Sequence, residues 1–170
     1  MNWLIRIVGG ASTLVVLRYE QIAGEGRVSA EELEWQFALL SSRGYSVPMS
    51  DVSRYLRGRG DLPRRGVSVT FDAADARTLH TASEALARHD LPATFFATVE
   101  ELHDLVGNEA SIRAKLGGRF DVGSRTVSGL PLHGRPRSEI CDELLSSRLR
   151  LEQTTARDCV VVAYPGPNDT

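Results

Sequence analysis

The chain has 170 residues and a net charge of −2, with 42% hydrophobic and 25% charged side chains, enough apolar material for one core and too much for a disordered chain. A pI near 6.1 gives no whole-protein attraction to nucleic acid. Two cysteines, Cys141 and Cys159, make neither a disulfide framework nor a metal knuckle and read as small buried residues.

From the N-terminus, residues 5–17 are apolar but broken by Arg6, Gly9 and Gly10, well short of the roughly 20 residues that span a bilayer. Arg6 ahead of an apolar run imitates a poor signal peptide, yet no small-residue cleavage site follows. The segment is therefore read as a single first strand, with no transmembrane segment and a cytoplasmic location favoured. Ser29-Ala30-Glu31-Glu32 is a capping box, after which Leu33, Phe37 and Leu40 share one helical face until Gly44. Ser50 is placed to cap a short helix that runs through Leu56. Arg57-Gly58-Arg59-Gly60 with Arg64-Arg65 is the one basic cluster, and without a Gly-rich strand-to-helix turn around it the cluster reads as a solvated loop.

Val67, Val69 and Phe71 then alternate with Ser68 and Thr70, which predicts a strand that ends with Asp72 at its carboxyl edge. Leu79, Ala82 and Leu86 mark a helix over 78–89, with Asp75 as a charge near its start, and a short helix covers 100–106. The last long helix starts near Ser138 and turns Ile140, Leu144 and Leu151 inward, and the valine-rich 159–164 reads as a fully buried strand. Strands separated by helical patterns pair in parallel, so the fold class is α/β. His80, His89 and His103 fall at helical or helix-end positions and read as surface side chains.

Several segments, in order, carry a resemblance. Leu17-Arg18-Tyr19-Glu20 stands where a first strand with a Tyr-His pair would be; Thr70-Phe71-Asp72-Ala73 matches Thr-Phe-Asp-Asp short of the second Asp. Pro92-Ala93-Thr94-Phe95-Phe96 is similar to a Pro-Ala-Thr-Phe-Phe strand, Gly123-Ser124-Arg125-Thr126 to Gly-Ser-His-Thr-x-x-His, and Ala163-Tyr164-Pro165 to Ala-Tyr-Pro. Together they resemble the polysaccharide deacetylase family, the NodB-homology domain of carbohydrate esterase family four. The resemblance implies a parallel-stranded, incomplete or distorted (β/α) barrel, with residues 1–170 as a single domain. It also implies that the family's C-terminal βα units, one of which carries a general-acid His, are missing.

The resemblance further implies a hydrolase that removes N-acetyl or O-acetyl groups from carbohydrate with zinc or another divalent metal. In the family the second Asp and the two His hold that metal, and those positions here are Ala73, Arg125 and Gly129. Alanine and glycine bring no ligand atom, and a guanidinium is a permanent cation, so no metal and no other cofactor is expected. Asp72 keeps the family's general-base position, but a base needs an activated water, and the site reads as degenerate. Asp72 serves equally as a cap for the following helix or as a polar contact to ligand. Arg125 suits either an anionic group or, preferentially, an ion pair with Asp72. Tyr164 is core or cleft lining, and His133 is the one histidine near the degraded motif. The expected roles are a deacetylase-like domain without activity, a pseudoenzyme subunit that stabilises an enzyme partner, or a module that binds a glycan or small anion. The missing units leave an edge that another chain closes, that a loop covers, or that belongs to a fragment, and the expectation is that residues 159–164 or the apolar N-terminal strand lie against a second copy or a larger enzyme subunit. No nucleic-acid partner is expected.

Overall fold

The computed structural model describes residues 4–9, 12–20, 22, 28–72, 76–115 and 120–166. Two strands come first, β1 (Leu4–Gly9) and β2 (Ser12–Tyr19), followed by α1 (Ala30–Arg43), α2 (Met49–Leu56), β3 (Arg65–Asp72) and α3 (Ala76–Arg88). The chain continues through β4 (Ala93–Ala97), α4 (Val99–Val106), α5 (Glu109–Lys115), β5 (Phe120–Ser124) and α6 (Arg137–Thr155). The sheet order is β1-β2-β3-β4-β5. β1 pairs antiparallel with β2, whereas β2, β3, β4 and β5 are parallel neighbours in chain order. Crossovers of one hand in sequential order stack the helices on one face. Accordingly α1 packs on α3, α3 on α4, and both α4 and α5 on α6. The sheet stays open, as an arc of a (β/α) barrel and not a closed one.

The apolar stretch expected as one strand is therefore a hairpin, with Leu4 opposite Leu17 and Gly9 opposite Ser12. Gly9 and Gly10 break the run in the sequence, and a two-residue connection between antiparallel strands is what such a break favours. The α1 expectations hold: Ser29 and Glu32 form the capping box, Leu33 and Phe37 are buried, and Gly44 takes the left-handed C-cap conformation at φ 61°. Ser50 does not cap α2, because the helix starts one residue before it and Pro48 takes the N-cap position without a side-chain bond. A fixed φ near −65° suits proline to a helix start.

One aromatic row crosses the sheet. Tyr19 and Phe71 are register partners with rings stacked at 5.1 Å, Phe71 and Phe95 repeat the arrangement at 5.0 Å, and Phe120 meets Phe95 edge-on at 5.6 Å. Each such pair adds about 0.5–1.5 kcal/mol beyond the area it buries. Leu79, Ala82 and Leu86 of α3 seat on this row with Phe37 of α1. Leu151 of α6 is fully buried as expected, but Ile140 and Leu144 are only half-buried, while Leu145 and Leu149 are exposed. Cys159 is buried, whereas Cys141 is exposed on α6, contrary to expectation.

The largest departure is at 159–164. Val162 makes a single parallel bridge to Ser124, through Ser124 N–H to the Val161 carbonyl at 3.0 Å and Ala163 N–H to the Ser124 carbonyl at 2.9 Å. Val162 and Tyr164 are 49% and 61% exposed, so the segment is an edge and not a buried strand. Ser124 is the last residue of β5, and Pro165 has no N–H to extend a ladder. No helix among the described residues is long and apolar enough to cross a membrane.

Candidate active site

In a parallel sheet of this kind the carboxyl ends of the strands are where ligands and chemistry gather. Register brings Arg18 beside Thr70 and Tyr19 beside Phe71, so Asp72 sits one step beyond the end of β2. β4 ends at Ala97 opposite Ser124, and Arg125 follows with its N–H on the Ala97 carbonyl at 3.2 Å. Asp72 and Arg125, each singled out by the sequence, are thus delivered to the same edge, and both are buried at 7% exposure.

Their charges are met from neighbouring strand ends. Arg18 directs Nε and Nη2 to Oδ2 of Asp72, both at 2.5 Å, and its Nη1 lies 3.6 Å from Glu20. Arg125 donates through Nη1 to Oε1 of Glu101 at 3.3 Å. Glu101 is itself the third residue of α4, and its other oxygen accepts the N–H of Thr98 at 2.6 Å in a second capping box. Each of the two thus has an opposite charge beside it from a neighbouring element, Arg18 for Asp72 and Glu101 for Arg125. Sequence reasoning missed both partners. Thr98-x-x-Glu101 was legible as a capping box, but a cap does not announce that its spare oxygen meets an arginine two elements away.

The loop after β5 is held by side chains. Ser124 Oγ is hydrogen-bonded to Ser147 Oγ at 2.7 Å and accepts the N–H of Thr126 at 2.9 Å. Thr126, at φ 71°, accepts the Gly129 N–H at 3.2 Å. Glu143 on α6 accepts the N–H groups of Val127 and Ser128 at 2.8 and 2.9 Å. Burial pushes the Glu143 carboxyl up, but the Ser128 N–H and hydroxyl, the Val127 N–H and the Thr126 hydroxyl together hold it below the usual range. Gly129 is left-handed at φ 67°. Gly123, opposite Phe96, has no room for a side chain: a Cβ there would fall 2.3 Å from the Phe96 ring.

The remaining expectations fall differently. The bridge of Val162 to Ser124 carries Tyr164 to the same edge as Arg125, but its side chain faces solvent. His133 is exposed in the turn before α6, and no polar partner to it is found among the described residues. Ala73, Asp75 and any capping of α3 by Asp72 lie outside the described residues. His80 and His103 are exposed, and His89, partly buried, meets Glu34 at 2.9 Å.

A divalent metal of the kind such a site would use does not fit these residues. Position 125 offers a buried cation, position 129 no side chain and position 73 a methyl group. Among the described residues no group of three or more His, Cys, Asp or Glu side chains is placed to hold an ion.

Solved structures share this architecture. The chain is similar to a deacetylase from Streptococcus pyogenes, PplD, seen in complex with acetate, with TM-score 0.78 and 18% identity over 96% of this chain and 75% of that one. It is also similar to a de-N-acetylase from Aggregatibacter actinomycetemcomitans (TM-score 0.68, 16% identity, 88% and 78% covered). IcaB from Ammonifex degensii shares it too (0.66, 22%, 92% and 76%). At these identities the likeness is one of fold. No curated protein matches the sequence. The family model for polysaccharide deacetylase matches residues 59–168, which span Asp72, Arg125 and Tyr164, and the chain belongs to the polysaccharide deacetylase family.

Proposed function

We propose that this polysaccharide deacetylase-like domain does not hydrolyse acetyl groups and works as a pseudoenzyme. The observation that carries the reading is the buried guanidinium of Arg125, paired with Glu101 at a position where the family needs a neutral metal ligand. Hydrolysis of an acetamide requires a polarised carbonyl and a water made acidic enough to lose its proton near neutral pH, and a metal supplies both. Arg125 supplies neither a coordination bond nor a bound water. Asp72, already accepting from Arg18, lacks the activated water that a general base would deprotonate.

Acetate release from N-acetylated oligosaccharides and from a chromogenic acetyl ester, in the presence of zinc, cobalt or nickel, is expected at background. Release that a chelator and Asp72→Ala both abolish would overturn the reading.

A second reading concerns assembly, and the exposed edge favours it. Val162 and Tyr164 present apolar surface beside β5, and an exposed apolar edge is a template for another chain. We infer that this edge receives a second copy or an enzyme subunit. A monomer by light scattering at micromolar concentration, with and without the candidate enzyme, would remove this reading and leave the first intact.

A further inference from the structure

The basic cluster, read from sequence as a solvated loop, lies at the other end of the sheet. Residues 43–65 carry six arginines (43, 54, 57, 59, 64 and 65) against Asp51 and Asp61, a local charge of +4 in a chain of −2. Arg64 and Arg65 enter β3 at its amino end, seven residues from Asp72. At about 3.3 Å per residue that separation is about 23 Å, so this region is distinct from the degenerate site.

There Arg43, Arg64 and Arg65 line a hollow of about 640 Å3 together with Thr13, Tyr45 and Pro63. Backbone bonds hold its frame in place: Thr13 N–H bonds the Arg64 carbonyl at 2.9 Å and Val67 N–H the Tyr45 carbonyl at 2.7 Å. What the hollow offers a ligand is therefore side chains on a fixed frame. Several arginines elsewhere are matched by carboxylates, as in Arg88 with Glu34, Arg113 with Glu109, Arg148 with Glu152 and Arg157 with Asp121, while Arg57, Arg59 and Arg137 stand singly without one among the described residues. Arg43, Arg64 and Arg65 have no such partner among the described residues. Three guanidiniums around one cavity without a counter-charge repel each other, and an anion bound among them removes that cost.

We propose that this hollow binds a phosphate or sulfate group. A guanidinium presents its N–H groups as a planar fork that matches two oxygens of a tetrahedral anion, and three forks satisfy one carrying two or more charges. The volume falls in the range of small-ligand pockets. A second hollow of about 580 Å3 beside α2 is lined by Arg54, Arg57, Arg59 and Arg157 but also by Asp121 and Asp158, so the uncompensated charge is concentrated at the first. The geometry differs from a phosphate-binding loop, since arginine side chains at a strand start do the work that backbone N–H groups do at a helix start.

The test is calorimetric titration of the full chain with tripolyphosphate at low salt. Saturable binding is expected, weakened at least tenfold in Arg64→Gln/Arg65→Gln and separately in Arg43→Gln, and unchanged in Arg137→Ala on α6. Competition by dextran sulfate but not by dextran would assign the group to a polymer chain, and tripolyphosphate binding without such competition would assign it to a free phosphate ester. No saturable binding of either anion, or equal loss in Arg137→Ala, would overturn the proposal. None of these outcomes depends on whether the domain hydrolyses acetyl groups.

Discussion

Gly123 shows how a motif residue is fixed by packing and not by chemistry. Its register partner Phe96 lays its ring where a Cβ would stand, at 2.3 Å. Gly123→Ala must therefore displace a buried aromatic ring, and overpacking of this kind costs about 1–3 kcal/mol, a lowered Tm in thermal denaturation; an unchanged Tm would mean that Phe96 moves freely. The Arg125 and Glu101 pair makes a second residue-scale prediction. Arg125 is buried and Glu101 half-exposed, so a double-mutant cycle on Arg125→Met and Glu101→Gln is expected to give a coupling of about 0.5–3 kcal/mol. Zero coupling would mean that the two side chains meet only in passing. Gly129, at φ 67°, resists any β-carbon, which bears on rebuilding the site. Restoring Ala73→Asp, Arg125→His and Gly129→His together adds the donors, but at 129 it forces a left-handed histidine, a strain of about 1–3 kcal/mol. We expect the triple variant to be less stable than the parent and to bind zinc only weakly. Tight uptake of one ion would mean that the strand ends keep the full ligand geometry.

At the scale of elements, Tyr19 ties β2 to α1 and gives the fold an alkaline limit. Its ring is stacked on Phe71 and its hydroxyl donates to Gln36 at 2.6 Å. Burial pushes the phenol from 10.0 up to about 12. A phenol raised in the folded state contributes stability that is present below pH 10 and lost as pH rises toward 12, by about 2–3 kcal/mol. Urea midpoints measured across that window should fall for the parent and fall less for Tyr19→Phe; parallel curves would remove the assignment. Elements with a clear period were legible: the Ser29 box, the Leu33 and Phe37 face, the Leu79, Ala82 and Leu86 stripe, and the strand that stops at Asp72. The misreadings have physical causes. Residues 5–17 carry one hydrophobic run across two strands because β1 and β2 are adjacent hairpin arms. Residues 159–164 are as valine-rich as a core strand, yet Ser124 at the end of β5 offers only one bridge. α5 went unseen because seven residues give too short a period. In the site, Asp72 and Arg125 were found through motif positions, whereas Arg18 and Glu101 are set by register and a cap, which are not properties of any local sequence.

Over the whole molecule, the parallel arc sorts charge to its two ends. At the carboxyl edge, where the family carries out its chemistry, each arginine is answered by a carboxylate, Arg18 by Asp72 and Arg125 by Glu101. At the amino edge Arg43, Arg64 and Arg65 stand around a hollow without a carboxylate partner among the described residues. The fold of a polysaccharide deacetylase is retained through its aromatic row and helical face, while on the proposed reading the donors that would hold a metal are replaced by a methyl group, a guanidinium and a glycine. The direct test of this account is titration of zinc into the purified chain, followed by elemental analysis after desalting. No saturable binding at micromolar zinc and no metal carried through the column are expected. One tightly held ion per chain, lost in Asp72→Ala, would contradict it.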